Sequence, residues 1–241
     1  MNTFYTRTEI DEIGAGLIQV YKDKHPGKVV AYIDIEHFIT DFLGLKIEFA
    51  SFAEDDYGKI GFTSDGETEL MINQNGRVLP FSFPKNTIVI EKFLLSEKEY
   101  GRRRFTMAHE AAHHILAKLQ AEPAKACFHN EYDNERAYTK EELSQMFSSN
   151  EWQADAMAAS LLMPRFLVEG ALVKYAGTDS IKLYGESTLS AKDKAAIKKM
   201  AKALGVSISA LRIRLEHLNM IEKLDMKEFI HAKLFKGGEF I

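Results

Sequence analysis

The sequence has little of several things that would each impose a class. A single cysteine, Cys127, stands among 241 residues, so no internal disulfide can form, and a lone thiol points to a reducing compartment. Five prolines and 15 glycines, without a repeat, exclude collagen-like and low-complexity chains. No uncharged apolar run approaches the ~18 residues of a membrane span, and the start MNTFYTRTEIDEIG has neither the basic cluster nor the apolar stretch of a secretory signal. Charge of one sign is also scarce, since 31 Lys and Arg against 35 Asp and Glu leave −4. What is present, 46% apolar and 27% charged residues, is the mixture of a globular protein able to bury a sizeable core. The expectation is a cytoplasmic protein with no membrane association.

Apolar positions Ile10, Ile13, Leu17 and Val20/Tyr21 predict a helix from Thr8 to about Lys24. A short helix from Asp34 to Leu43 should stop at Gly44. Short β-rich runs follow at Leu45 to Phe52, Lys59 to Thr63, Glu69 to Asn73 and Thr87 to Glu91, and Asn75-Gly76 marks a tight turn. They predict a small, mostly antiparallel sheet. Ser96 is placed to cap a long helix running through Leu119, with Glu97 and Glu99 in its first turn. Residues 120–150 carry Pro123, many charges and no strong periodicity, so they read as a linker, excursion or lid. The string NEWQADAMAASLLM reads as a buried helix whose end Pro164 marks. From Lys192 to Lys223 there are eight basic and three acidic residues, a basic helical tail on an acidic body. This charge change divides the chain into 1–190 and 191–241.

The informative string is RFTMAHEAAHHIL, in which His109, Glu110 and His113 form an H-E-x-x-H pattern on the long helix. A shuffled chain of this composition would contain it about 0.025 times, so chance is a poor account. Residues four apart lie one turn apart on one helix face, which aims both imidazoles at a common centre and supplies two ligands of one metal ion. Glu110 lies at the edge of that face, where a carboxylate serves as general base without being a ligand. Catalytic zinc usually takes three protein ligands. The metzincin pattern is excluded, because Leu116 replaces its glycine and Leu119 its third histidine. Glu151 is the best remaining candidate, on a second helix that also presents Asp155 to orient a ligating histidine. Glu131, Glu135, Glu141 and Glu142 are its rivals.

RFTMAHEAAHHIL followed by EWQADAMAASLLMP resembles the ImmA/IrrE family of bacterial metallopeptidases, which pair H-E-x-x-H with a downstream E-x-x-A-(D/N)-x-x-A-x-x-L-L-M-P helix. The match covers roughly residues 86–165. It implies an α+β, zincin-like fold in which a small, mostly antiparallel sheet packs on a zinc-binding helix pair, followed by a helical C-terminal region. It also implies Zn2+ held by His109, His113 and Glu151, with Glu110 as catalytic base. The chain departs from the family in the 37 residues that separate His113 from Glu151, which leaves the lid and groove open. Peptide hydrolysis needs a base to take a proton from water and return it to the leaving amine, and a donor for the developing oxyanion. His114, His129, Tyr132 and Tyr138 are candidates for the donor. The strand TIVIE could pair its edge with an extended substrate. Cys127 reads as a small apolar residue or idle thiol in preference to a redox switch.

In the basic tail, Ala201, Gly205 and Leu211 have helix-turn-helix offsets, Ser207 can cap the second helix, and Arg212 and Arg214 could meet phosphates. Similar strings in ImmA/IrrE-like proteins pack as part of the fold, so direct DNA binding is not favoured. Two functions compete. The first is a zinc endopeptidase that cleaves a partner protein, in that family typically a helix-turn-helix repressor, and so switches on genes of a mobile element or stress response. The second is a DNA-binding or toxin–antitoxin-like regulatory module with a structural or vestigial zinc site. Glu110 favours the enzyme, because a structural site needs no base.

Overall fold

Helix α1 (Arg7–Lys24) begins where the sequence supplies a reciprocal cap. Thr6 Oγ1 accepts from the Glu9 amide at 3.3 Å, and the Glu9 carboxylate accepts from the Thr6 amide at 2.7 Å. In the computed structural model, which describes residues 4–27, 31–53, 59–120, 127–130 and 149–235, the buried stripe of α1 is Ile10, Gly14, Ile18 and Tyr21. That face is rotated from the expected one, and Val20 lies in solvent. The rotation comes from Gly14, which contributes nothing to an apolar count yet lets another helix approach. The α2 turn (Ile35–His37) widens over Phe38–Phe42, and Gly44 stops it with φ 71°, a conformation that glycine adopts without strain.

Six strands follow: β1 (Lys46–Ala50), β2 (Lys59–Thr63), β3 (Glu69–Gln74), β4 (Arg77–Ser82), β5 (Thr87–Glu91) and β6 (Cys127–Asn130). Four of them form one sheet in the order β1-β5-β2-β6, with β1 parallel to β5 and the other pairs antiparallel. The expectation of a mostly antiparallel sheet therefore holds. β5, the TIVIE strand, lies between β1 and β2, so its edges are already paired and it has none to offer a substrate. Its residues Thr87 to Ile90 are buried, as suits an interior strand.

β3 and β4 form a hairpin across Asn75 and Gly76, whose φ angles of 54° and 77° suit a two-residue turn. β4 was not among the expected strands. Every residue of it is exposed and Pro80 sits in its middle, so neither burial nor propensity marks it. The other side of β3 is taken by residues 51–53: the Ala53 amide donates to Met71 O and the Asn73 amide to Ser51 O, each at 2.8 Å. Because N–H and C=O of one residue point the same way in a strand, Leu70, Ile72 and Gln74 serve the ladder to β4. Pro80, paired opposite Met71, therefore turns its nitrogen to the outside.

Helix α3 (Tyr100–Leu119) follows two tight turns, Lys92–Leu95 and Glu97–Glu99. The helix starts later than expected and Ser96 makes no side-chain capping bond, because residues 97–99 wind as a separate tighter turn. Helix α4 (Ser149–Leu162) ends just before Pro164, as the sequence predicts. Among the described residues, no single helix is long and apolar enough to cross a membrane.

The chain divides into two compact units, Met1–Pro164 and Arg165–Ile241. The second holds α5 (Arg165–Tyr175), β7 (Ile181–Tyr184), β8 (Thr188–Leu189), α6 (Ala191–Leu204), α7 (Ile208–His217), β9 (Ile221–Leu224) and α8 (Met226–Ile230). By packing, this unit begins at Arg165, and α5 packs on α6 within it. The unit is helical with a small addition, the sheet β8-β7-β9, in which β7 and β9 run parallel. α6 ends in Gly205 with φ 67°, and Ser207 Oγ accepts from the Ala210 amide at 3.1 Å to start α7, as the turn pattern requires. The whole is an α+β arrangement compatible with a zincin-like fold.

Candidate metal centre

Helix α3 packs against β2, β5 and α4, and between Arg104 and Leu116 only Phe105 and His113 are less than fully buried. A helix enclosed in this way buries whatever polar groups its sequence places on it, so each needs a partner or a function. His109 and His113, one turn apart, bring their Nε2 atoms to 3.0 Å. Glu151, in the first turn of α4, meets both: its Oε2 is 3.2 Å from His109 Nε2 and its Oε1 is 3.3 Å from His113 Nε2. Among the described residues these three form the one group able to hold a metal ion.

Two imidazoles and a carboxylate are a zinc donor set, and ligands about 2.0–2.1 Å from a tetrahedral ion stand about 3.3–3.4 Å from one another. The separations of 3.0, 3.2 and 3.3 Å fit that requirement. Three protein donors leave a fourth position for water or substrate, as catalytic sites do. One turn further along α4, Asp155 accepts a hydrogen bond from His109 Nδ1–H at 2.8 Å. With an ion bound, that bond would keep the proton on Nδ1 and leave Nε2 free to ligate. Burial alone would lower the His109 pKa, but the hydrogen bonds to Asp155 and Glu151 carry it well above the ordinary histidine value. Burial likewise opposes the charge on Glu151, yet hydrogen bonds from both histidines hold its carboxyl well below the usual range. The cluster is thus electrostatically arranged around positive charge.

Glu110 is fully buried beside this cluster. Its Oε2 accepts a hydrogen bond from Thr63 Oγ1 at 2.5 Å, and its Oε1 has no hydrogen-bond partner among the described residues. Burial raises its pKa, with the nearby histidines and the Thr63 hydrogen bond pulling the other way. On the same face of β2, Gly61 lies so close that a Cβ there would stand 2.5 Å from Glu110 Oε1 and 2.8 Å from Thr106 Cγ2. Thr63 and Gly61 escaped the sequence reading. The signal that could have found them is the glycine inside KIGFT, since an isolated strand glycine marks a close approach.

The structure therefore brings His109, Glu110, His113, Glu151 and Asp155 together. His114 points elsewhere, lining a surface cavity with Leu45, Asn86 and Lys118, because it is about 100° from His113 around the helix. Burial and the Lys118 charge lower its pKa. His129 has its backbone on β6, paired with Gly61 in register. The side chains of Cys127 and His129, and residues Tyr132, Tyr138, Glu131, Glu135, Glu141 and Glu142, lie outside the described residues. In α7, Arg214 is 2% exposed and so presents no charge at the surface, which removes one of the two arginines suggested for phosphate contact.

The family model of peptidase M78, the IrrE N-terminal-like domain, matches residues 41–216. No curated protein matches the chain. The matched range covers most of the chain and encloses all five residues of the cluster, and the chain belongs to this IrrE-like peptidase family.

Proposed function

We propose that this chain is a zinc-dependent endopeptidase that hydrolyses a peptide bond in a partner protein, a helix-turn-helix transcriptional repressor. One observation carries the reading: a buried carboxylate, Glu110, with an oxygen unpartnered among the described residues, stands beside a His-His-Glu donor set. A structural metal site would leave that carboxylate without a purpose.

His109, His113 and Glu151 would hold the ion, and Asp155 would orient His109. Zinc at such a site supplies Lewis acidity, which acidifies water and polarises a carbonyl. Glu110 takes the proton from the attacking water on its free oxygen and delivers it to the nitrogen of the departing amine, so one residue acts as base and then as acid. Desolvation by β2 and α3 keeps the carboxylate basic enough for the first step. The resemblance to ImmA/IrrE proteins supports a repressor as substrate, whose loss would switch on genes of a mobile element or a stress response. The burial of Arg214 weighs against a DNA-binding module.

The test uses the full chain with one equivalent of Zn2+ and a panel of helix-turn-helix repressors, starting with those encoded beside its gene. Glu110→Gln should retain zinc and lose cleavage by about 100-fold or more, the range for loss of a general base. His113→Ala should lose both. Cleavage at the wild-type rate by Glu110→Gln would remove Glu110 from the chemistry.

A further inference from the structure

A base on a helix needs more than proximity, because a glutamate has three rotatable bonds and swings freely unless something holds its head. Here strand β2 holds it. Thr63 and Gly61 are two residues apart on β2 and so project to the same face, the one packed on α3. Thr63, itself 6% exposed, donates from Oγ1 to Glu110 Oε2 at 2.5 Å. Gly61 leaves open the space that Glu110 Oε1 occupies, since any Cβ would stand 2.5 Å from it. One oxygen is anchored, and the other is confined and, among the described residues, unpaired.

We propose that Thr63 is a positioning residue of the reaction, its hydroxyl fixing the Glu110 carboxylate so that one oxygen alone is left to exchange a proton, with Gly61 providing the slot for that oxygen. The inference rests on Glu110 as base and adds what makes it effective. A hydrogen bond to an ionised acceptor in a dry site is among the stronger ones. The anchored oxygen cannot compete for the water, so the carboxylate meets its target in one orientation, which is the entropic part of positioning.

Thr63→Val preserves shape and removes the hydroxyl, whereas Thr63→Ser keeps the hydroxyl and removes a methyl group. On a quenched fluorescent peptide that the wild-type chain cleaves, Thr63→Val should lower kcat about 10- to 100-fold, the cost of a misplaced group, with KM and one zinc per chain unchanged. Thr63→Ser should stay close to wild type. Wild-type kcat in Thr63→Val, or equal losses in both variants, would overturn the proposal, the second result showing that packing and not the hydroxyl matters. Gly61→Ala should also lower kcat with zinc retained, and an unchanged kcat would remove the slot.

An activity-independent measurement separates this inference from the peptidase reading. In urea unfolding, Thr63→Val and Glu110→Met should be non-additive, because either alone removes the same bond. Additive effects would overturn the anchoring. If Glu110→Gln cleaves as well as wild type, Glu110 is not the base, while the cycle still decides whether Thr63 holds Glu110.

Discussion

Asp155 shows how much a residue outside the donor set contributes. Its side chain is 54% exposed, yet its Oδ1 stands 2.8 Å from His109 Nδ1 and decides which ring nitrogen keeps the proton. Asp155→Ala should weaken zinc affinity by about 10- to 100-fold, the usual cost of losing such a partner, with little loss of fold. Asp155→Asn, which still accepts a hydrogen bond, should lose less. Competition titration with a chromophoric chelator reads both, and undiminished affinity in Asp155→Ala would deny it that role. At this scale the sequence was most informative where chemistry follows a helix period. His109 and His113 share a face by spacing alone, and Glu151 and Asp155 repeat the pattern on a second helix. Thr63 and Gly61 had no such period, because a strand brings them to α3 across long sequence separation.

Among elements, α1 approaches α4 closely where Gly14 faces Ser160. A Cβ on Gly14 would overlap Ser160 Oγ and stand 2.8 Å from Ser160 Cβ. Glycine to alanine inside a helix normally stabilises by up to about 1 kcal/mol. Here the sign should reverse, with Gly14→Ala costing about 1–3 kcal/mol by overpacking. Adding Ser160→Gly should recover most of that loss in urea unfolding, and a stabilised Gly14→Ala would show that the helices separate freely. Helices, their ends and the Asn75-Gly76 turn were legible because propensity, caps and tertiary packing agree. The α1 face was misread since apolar counting gives weight to Val20 and none to Gly14. β4 was invisible for a related reason: its six exposed residues carry no alternation between a buried and a wet face.

For the whole molecule, the donor atoms come from α3 and α4 of the first unit, so an ion joining them stabilises that unit by mass action. Zinc at 100 times its Kd contributes about 2.7 kcal/mol when the unfolded chain does not bind it. At about 2–4 °C per kcal/mol for chains of this size, chelation should lower Tm by roughly 5–10 °C. His113→Ala should show no such shift. A wild-type Tm indifferent to zinc would mean that the donors do not act together. The boundary at Pro164 was legible as a helix end but not as a division, because it depends on the packing of α5 on α6, which local patterning does not reveal. The β3–β4 hairpin bears on how copies of the protein behave in concentrated solution. Among the described residues, β4 is an open border of extended chain with apolar side chains at Val78, Leu79 and Phe81, the kind of border that recruits other chains into aggregates. Pro80 directs its nitrogen outward, so a foreign strand laid alongside finds no N–H at the centre, and self-association is interrupted there without the loss of a bond within the hairpin.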